Sequence, residues 1–344
     1  MLNKLLCHLQ GHLILFLMTR LGKAVRILHS PKFGAHVTPK YHPESPFRTD
    51  VRIVEELSKK LKDKGEFHEV QWLHPKIKDG SALLHAHTAD YLQEIAKPVG
   101  FDELRALDAD TYQSAGSYNV SRLASSAWLT GMEHVLKEGG SAFALSRPPG
   151  HHSSPSTACG FCTINHAVVC AGHALFSEDN AQVQRVAMLD IDVHFGNGIA
   201  AALGSDPKWE NKARYCSLHQ QPAFPFSGGK NAESIFAKYG SANNLLRFLP
   251  MLPGIDGRIW LKTLKEKALP FLHEFNPDLL IISAGFDALD SDPLASLELT
   301  PDDFRQAAIQ IRETFPDLPI IAGLEGGYDV DRLPEAIAAF LEPL

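Results

Sequence analysis

The chain alternates short apolar runs with longer segments in which apolar residues recur every three or four positions. The short runs predict buried strands, and the longer segments predict amphipathic helices. Strands are predicted over residues 24–29, 141–145, 185–191, 214–218, 279–283 and 319–322. Helices are predicted over residues 49–62, 83–95, 117–136, 162–176, 259–275, 301–315 and 333–341. This alternation predicts an α/β fold with a central, mostly parallel sheet and helices on both faces.

Two long segments, residues 204–212 and 224–257, are predicted as irregular connections. Long connections inside a compact domain usually carry function, so we expect a functional role for both. We find no repeat, low-complexity tract or convincing linker in the sequence. We therefore predict a single α/β domain over residues 24–344, preceded by an N-terminal extension over residues 1–23.

The N-terminal segment, residues 1–28, is basic, and no acidic residue precedes Glu44. Its apolar run over residues 13–18 is too short for a transmembrane helix, which needs about 20 residues. A signal-peptide core and an organelle transit peptide are both alternatives to a plain disordered or helical extension. We expect the plain extension and a cytoplasmic protein, with an organellar location if the segment is a transit peptide.

Charge and cysteine content narrow the class of protein further. The formal net charge is −7, which argues against direct nucleic-acid binding because such proteins usually present a basic face. The chain has five cysteines, an odd number that favours a reducing compartment over a disulfide framework. No later segment is apolar enough to cross a membrane, so we expect no membrane partner either.

Polar clusters follow five of the predicted strands, each at the carboxyl end. They cover residues 147–152, 190–194, 217–219, 284–287 and 325–328. Open α/β sheets bind ligands in the crevice beyond the carboxyl ends of their strands. We therefore expect the five clusters to converge on one pocket and to form a catalytic site.

One cluster has the composition of a metal site. Asp190, Asp192 and His194 alternate along a strand end, so their side chains share one face. Carboxylate and imidazole groups bind Zn²⁺ or another divalent first-row metal. Asp287 completes a set of three ligands, and three protein ligands leave a position open for water and substrate.

The other clusters supply groups for proton transfer. His151 and His152 follow two prolines and Gly150, so both imidazoles can face one pocket from a bent loop. A neutral histidine is a suitable general base for a metal-bound water, and Asp190 and Asn197 are available to orient the two rings. Tyr328 follows two glycines, and its phenol could donate a hydrogen bond to a developing oxyanion.

Several other cysteines and histidines have explanations that need no catalytic role. Cys159 and Cys162 have the spacing of a redox or zinc motif, but no second cysteine pair accompanies them. His85 and His87 fall in the predicted helix 83–95, where packing or surface exposure explains them. His166 and His173 are expected to be core histidines with satisfied hydrogen bonds.

Taken in order, these motifs resemble the histone deacetylase and acetylpolyamine amidohydrolase superfamily, with its single-domain arginase-like fold. The resemblance covers residues 24–344. The matching segments are RPPGHH at 147–152, GFC at 160–162, DIDVHFGNG at 190–198, SAGFD at 283–287, DPL at 292–294 and EGGY at 325–328.

The resemblance implies a role for each matching residue. Asp192, His194 and Asp287 resemble the zinc ligands. In the reaction, His152 resembles the general base, and His151 the histidine that steadies the transition state with Asp190 as partner. Tyr328 resembles the residue that polarises the scissile carbonyl. Gly160, Phe161 and Phe224 resemble residues of the acyl-lysine channel. A structural potassium site is implied at Asp190, Asp192, Ser217 and Leu218. Arg48 resembles the arginine of an internal channel behind the metal.

The chain also shows features of its own within this pattern. Asn197 stands beside His152, as in the class II branch of the family. Phe195 and His166 replace more usual residues, although neither occupies a ligand position. The rim aspartate that would grip the substrate backbone is either Asp108 or Asp110.

The resemblance implies hydrolysis of an N-acetyl amide by a zinc-activated water, with zinc and a structural potassium ion as cofactors. Acetylated lysine in a peptide or protein is the first expected substrate, and an acetylated polyamine or other small amide is the alternative. An inactive module that only recognises acyl groups is a third interpretation, which the intact ligands, histidine pair and Tyr328 disfavour. Assembly into a homo-oligomer stays open.

Overall fold

Parallel strands form the centre of the protein. The structure is a computed structural model that describes residues 25–63, 70–229, 232–236 and 245–344. Its strands are β1 Val25–Leu28, β2 Val70–Leu73, β3 Arg105–Ala106, β4 Tyr112–Gln113, β5 Ser141–Ala144, β6 Val186–Asp190, β7 Ala213–Gln220, β8 Leu246–Met251, β9 Leu279–Ala284 and β10 Ile320–Leu324. Eight of them form one sheet in the order β2-β1-β5-β10-β9-β6-β7-β8, and each neighbouring pair is parallel. β3 and β4 form a separate antiparallel hairpin.

Helices cover both faces of this sheet. Their bounds are α1 Val51–Asp63, α2 Ala89–Ile95, α3 Ser117–Glu138, α4 His166–Phe176, α5 Asn197–Ser205, α6 Ala232–Phe236, α7 Gly257–Thr263, α8 Leu269–His273, α9 Pro301–Thr314 and α10 Leu333–Leu341. One apolar core packs α1, α7, α8, α9 and α10 against the sheet, and a second core packs α2, α3, α4 and α5 against the opposite face. The predicted α/β fold with a parallel sheet is therefore confirmed.

Strand residues feed the two cores alternately, as the pleat of a strand requires. In β9, Leu280 and Ile282 face one core, whereas Leu279 and Ile281 face the other. Both faces are buried, which explains why these strands read as continuous apolar runs instead of alternating ones.

The edge strands of the sheet were the least predictable part. β8 lies within residues 224–257, for which the pattern predicts an irregular connection. β2 lies between the predicted helices 49–62 and 83–95, where the pattern predicts no strand. All four residues of β2 are partly exposed, and β8 includes a proline, Pro250. Edge strands of this kind lack the apolar run that marks a strand buried on both faces.

Three predicted helices differ from the structure by more than two residues or by an interruption. The segment 83–95 is a short 3₁₀ turn, Ser81–His85, followed by α2, because the Thr88 side chain accepts the N–H of Tyr91 and starts a new helix. The segment 162–176 begins only at His166, where Asn165 caps α4. The segment 259–275 runs from α7 through a π-helical turn, Leu264–Ala268, into α8.

The predicted N-terminal extension lies outside the described residues, so the domain boundary and the nature of that segment stay predictions. Within the described part of the chain, no helix combines the length and apolar character that a membrane span requires.

Candidate active site and metal centre

Five adjacent strands, β5, β10, β9, β6 and β7, deliver the predicted polar clusters to one edge of the sheet. Backbone hydrogen bonds join these clusters across the strand ends. The N–H of Val193 donates to Asp287 Oδ1 at 3.0 Å, and the N–H of Gly326 donates to Asp192 Oδ2 at 2.7 Å. Loops that follow β6, β9 and β10 therefore build a single site.

The three predicted metal ligands lie together at the base of this site. His194 Nδ1 is 3.2 Å from Asp192 Oδ1 and 3.0 Å from Asp287 Oδ2. One donor atom from each residue lies within 4.8 Å of the others. Asp192 and Asp287 are fully buried, so solvent does not screen either carboxylate.

The electrostatics of these three residues fit a bound cation. Burial and the charge of Asp192 raise the pKa of Asp287 above its usual range. Burial alone would lower the pKa of His194, but Asp287 and Asp192 raise it well above its ordinary value. Two buried carboxylates thus attract positive charge to one point, and the donor set suits Zn²⁺ or another divalent first-row metal.

His151 sits in a strongly acidic environment. Its Nδ1 lies 3.2 Å from Asp190 Oδ2, which also accepts the hydroxyl of Tyr215 at 2.8 Å. Burial lowers the pKa of His151, but the charges of Asp192 and Asp190 outweigh burial and raise that pKa to about 10. These carboxylates therefore favour the protonated, positively charged form of the His151 ring.

His152 has the opposite character. Its Nδ1 lies 2.7 Å from the amide oxygen of Asn197, which can only accept, so Nδ1 carries the proton. Burial, together with the charges of His151 and His194, lowers the pKa of His152 well below its ordinary value. The ring is therefore neutral, and its second nitrogen, Nε2, is free to accept a proton.

Glu325 holds the histidine loop, although the sequence alone suggested no role for it. One carboxylate oxygen accepts the N–H of Gly150 at 2.6 Å and of His151 at 3.1 Å, and the other accepts the hydroxyl of Ser283 at 3.1 Å. The sequence signal for this residue is an acidic side chain close behind the predicted strand 319–322. The loops after β5 and β10 are thereby fixed to each other and to the end of β9.

Tyr328 lines the same pocket as His152 and is contacted by Arg48. Burial raises the pKa of its phenol well above the ordinary value, so the group stays a proton donor. The Arg48 guanidinium stacks 4.7 Å from the centre of the Tyr328 ring, and Arg48 Nε donates to the carbonyl of Gly327 at 2.8 Å. Arg48 is fully buried.

A narrow pocket of about 200 Å³ leads to these groups. It is lined by Asp110, His152, Gly160, Phe161, His194, Phe224, Leu294 and Tyr328. Phe161 packs edge-to-face on Tyr328 with 5.8 Å between ring centres, and Phe224 packs the same way on His152 at 5.1 Å. At position 160, a β-carbon would come within 2.6 Å of the His152 ring, so the close approach of this turn requires Gly160.

The two aspartates at the rim have different surroundings. Asp108 Oδ1 accepts the N–H groups of Asp110 at 3.0 Å and Thr111 at 2.7 Å, so it stabilises a turn. Asp110 lines the pocket itself. Burial and the charge of Asp108 raise the pKa of Asp110.

The predicted potassium residues lie on the neighbouring strands β6 and β7 and in the loop that follows β6. In the parallel register of β6 and β7, Ser217 is the partner of Asp190. The Ser217 hydroxyl is 2.9 Å from His219 Nδ1, and Leu218 is fully buried in the core. A potassium ion at this place stays a prediction.

Other histidines and cysteines of the described chain that the sequence makes conspicuous have structural contacts. The prediction that His87 lies in a helix is wrong, because the residue precedes α2; the ring is buried and accepts the N–H of Asn165 at 2.8 Å. The prediction of His166 as a satisfied core histidine is confirmed by its contacts with Ser125 Oγ at 2.8 Å and the Pro148 carbonyl at 3.1 Å. Cys159 and Cys162 are free thiols.

Comparison with known proteins supports one family throughout. The model of the histone deacetylase domain matches residues 42–344. An uncharacterized protein of Synechocystis is 38% identical over 325 residues, which are 93% of this chain and 99% of that protein. The histone deacetylase-like amidohydrolase of Pseudomonas aeruginosa is 34% identical over 266 residues, 76% of this chain and 67% of that protein.

A solved structure confirms the fold independently of sequence. The crystal structure of the HDA15 HD domain superimposes with a TM-score of 0.79 and covers 92% of this chain and 87% of the other. Its sequence identity is 24%, so this likeness concerns the fold alone. The domain match and the curated relatives establish more: the chain belongs to the histone deacetylase family.

Proposed function

We propose that this protein is a zinc-dependent deacetylase that hydrolyses the acetyl amide of acetylated lysine and releases acetate. The observation that carries the proposal is the convergence of three buried ligands, a neutral histidine and a protonated phenol around one pocket of about 200 Å³. Such a combination serves amide hydrolysis, in which a water attacks a carbonyl and a tetrahedral oxyanion forms.

Asp192, His194 and Asp287 would hold the zinc ion. Bound there, zinc supplies a Lewis acid and lowers the pKa of a water molecule. Backbone N–H groups of Gly326 and Val193 orient two of the carboxylates, as the outer partners of metal ligands commonly do. A structural potassium ion beside Asp190, Ser217 and Leu218 belongs to the same proposal.

The protein groups then divide the proton transfers. His152 Nε2 accepts the proton of the attacking water, while Asn197 keeps the proton on Nδ1 in place. Tyr328 donates a hydrogen bond to the developing oxyanion, and the positive His151 stabilises the same negative charge. His152 finally gives its proton to the amine nitrogen as the carbon–nitrogen bond breaks.

The pocket walls support an acyl-lysine substrate. The rings of Phe161 and Phe224 both line the pocket and offer flat apolar surfaces to a methylene chain. Asp110 lies at the same pocket, where its carboxylate can accept N–H groups of a substrate. The alternative substrate is an acetylated polyamine or other small amide.

Paired kinetics test the proposal. The zinc-loaded protein is assayed for acetate release from an acetyl-lysine peptide and from N-acetylputrescine. We expect a kcat/KM at least about tenfold higher for the peptide, which corresponds to about 1.4 kcal/mol of transition-state binding. A reversed preference would replace the proposal with the small-amide alternative. Absence of turnover on both substrates with zinc bound would favour an inactive acyl-binding module.

A further inference from the structure

Asp292 is a buried acid that takes no part in the proposed proton transfers. It opens the DPL segment, residues 292–294, in the loop that follows β9, and it is 6% exposed. We propose that Asp292 is a positioning residue that acts through Tyr328: its carboxylate fixes the oxyanion donor relative to the loop that carries the ligand Asp287. This inference rests on the proposed function and adds a residue to it.

The first observation is a pair of hydrogen bonds that the Asp292 carboxylate accepts. Its Oδ2 accepts the N–H of Tyr328 at 2.7 Å, and its Oδ1 accepts the N–H of Leu294 at 2.9 Å. Tyr328 and Leu294 both line the pocket of about 200 Å³. One carboxylate therefore joins a pocket residue of the loop after β9 to a pocket residue of the loop after β10.

The second observation is the backbone that leads to Tyr328. Gly326 and Gly327 precede it, and Gly327 has φ 119°, a conformation that residues with a side chain rarely adopt. Glycine has more backbone freedom than any other residue, so two in succession restrain the next residue little. The hydrogen bond to Asp292 acts on the N–H of Tyr328 itself. It therefore supplies a restraint that the local sequence lacks.

The third observation is that Asp292 is itself held in place. Its N–H donates to the carbonyl of Leu289 at 3.0 Å, and the N–H of Asp290 donates to the carbonyl of Leu299 at 2.9 Å. Leu289 and Leu299 also form a β-bridge, which closes this loop at its base. Asp287 lies two residues before the bridge. The loop that supplies a predicted metal ligand thus also anchors the phenol.

The surroundings of Asp292 show what compensates its buried charge. Burial and the charge of Asp287 raise the pKa of Asp292 to about 7, whereas the N–H groups of Tyr328, Leu294 and Asp329 act in the opposite direction. A buried carboxylate is costly unless hydrogen bonds offset the cost. Here those bonds come from the backbone of the two loops, so the charge and the loop geometry depend on each other.

A double-mutant cycle of Asp292→Asn and Tyr328→Phe tests whether Asp292 acts through the phenol. Asparagine keeps the volume of the side chain, but its NH₂ group replaces one of the two acceptor oxygens. In the wild-type background we expect kcat on an acetyl-lysine peptide to fall by about 10²-fold, the size typical of a group displaced by about 1 Å. In the Tyr328→Phe background, which lacks the hydroxyl, kcat should fall by no more than about twofold.

Binding of a transition-state mimic gives a second readout that needs no turnover. The mimic is a peptide with a trifluoromethyl ketone in place of the acetyl amide, because its hydrate resembles the tetrahedral intermediate. Calorimetry on zinc-loaded protein should show a Kd at least about tenfold higher for Asp292→Asn than for the wild type. KM of the acetyl-lysine peptide should stay within about twofold, since the uncleaved amide has no oxyanion.

The matched control is Asp278→Asn. Asp278 Oδ2 accepts the N–H of Gln184 at 2.8 Å and of Arg185 at 2.9 Å, so this aspartate also joins two segments of the chain. It lies just before β9, at the amino ends of the strands and away from the site. Its kcat and its affinity for the mimic should match those of the wild type, even where its melting temperature falls.

Asp292→Ser is a second variant should asparagine prevent folding. The serine hydroxyl can still accept the N–H two residues ahead, at Leu294, but the side chain is too short to reach both loops. It should show the same loss of kcat, and the same dependence on the Tyr328 hydroxyl, as Asp292→Asn.

An equal loss of kcat in both backgrounds would overturn the inference, because Asp292 would then act independently of the phenol. Wild-type kcat in Asp292→Asn, or unchanged affinity for the mimic, would overturn it as well. Failure of the proposed function looks different, since zinc-loaded wild-type protein would then release no acetate from the peptide. That result would remove the reaction in which Asp292 is assigned a part.

Discussion

At the scale of single residues, two adjacent histidines acquire different protonation states from their partners. His151 faces the carboxylate of Asp190 at 3.2 Å, whereas His152 faces the amide of Asn197 at 2.7 Å. The carboxylates around His151 raise its pKa, and burial lowers the pKa of His152. The same residue type is thus driven toward the charged form at one position and toward the neutral form at the next.

Tyr328 gives the most specific prediction at this scale. Tyr328→Phe removes one hydroxyl and keeps the ring against Arg48 and Phe161. We expect kcat on an acetyl-lysine peptide to fall by roughly 10²–10³-fold, the size typical of one lost oxyanion donor. Zinc content and melting temperature should stay unchanged, which separates loss of the donor from loss of the metal. Wild-type kcat in this variant would remove Tyr328 from the mechanism.

At the scale of elements, the loop after β10 joins the catalytic groups to each other. Glu325 holds the histidine loop, the Gly326 N–H binds Asp192, and the Gly327 carbonyl accepts Arg48. Residues 325–327 therefore hold the histidine loop, the metal ligand Asp192, and the Arg48 side chain that stacks on Tyr328. From the sequence, Tyr328 is the one residue of this loop to which we assign a role.

Gly326 is the position where this loop tolerates no side chain. A β-carbon there would overlap the carboxylate of Asp287 and approach that of Asp192. We expect Gly326→Ala to weaken zinc binding by about 10–100-fold, as is typical when the partners that orient metal ligands are disturbed. Zinc affinity is measured by competition with a chromophoric chelator.

The matched control for Gly326→Ala is Gly34→Ala, because nothing lies within 4 Å of a β-carbon at position 34. Zinc affinity of the control should equal that of the wild type. Equal zinc affinity of Gly326→Ala and the wild type would contradict the assignment of Asp192 and Asp287 as ligands.

A buried charge cluster joins the loop before α1 to the loop after β5. The Glu44 carboxylate accepts Arg147 Nη2 at 2.6 Å and lies 3.4 Å from Arg48 Nη1, and all three side chains are fully buried. We expect Glu44→Gln to reduce the free energy of unfolding by about 3–5 kcal/mol, because two buried guanidinium groups lose their counter-charge. Denaturant unfolding measures the change.

The same carboxylate predicts a pH dependence of stability. Burial raises the pKa of Glu44, but Arg147 and His36 outweigh burial and lower that pKa below its ordinary value of 4.5. Its contribution to stability is therefore complete above about pH 4.5 and is lost as the pH falls toward the lowered folded-state pKa. Glu44→Gln should lack this component of acid destabilisation.

An exposed ion pair provides the control for Glu44. Asp331→Asn breaks the contact between Asp331 and Arg52, whose side chains are 81% and 43% exposed. Exposed pairs contribute little, so the unfolding free energy should hardly change. An effect of Glu44→Gln as small as that of Asp331→Asn would show that the buried cluster does not stabilise the fold.

At the scale of the whole molecule, the sequence predicted the centre of the sheet better than its edges. Strands such as β9 are buried on both faces, so the sequence shows each of them as a run of apolar residues. β2 and β8 lie at the edges, with fewer buried positions, so their patterns resemble loops. The strand ends that build the site belong to the central strands, which is why the convergence of the clusters was predictable.

Contacts between distant segments were the part that spacing could not predict. Glu44 and Arg147 are 103 positions apart, and Glu325 lies 174 positions from His151. Nothing local marks such partners, because the fold alone brings them together. The strained conformations of Tyr41 and Phe226 are equally absent from the sequence pattern, since neither residue type indicates a left-handed backbone.

Metal titration tests the central claim most directly. The protein is stripped of metal with a chelator, zinc is added back in measured amounts, and acetate release from an acetyl-lysine peptide is followed. Asp287→Asn serves as the matched variant, because it changes one ligand oxygen to an amide in the site of Asp192 and His194. We predict no activity without metal, a rise that ends at about one zinc per chain, and a weakened response in the variant. Full activity of the metal-free protein, or no acetate from the zinc-saturated one, would contradict the account.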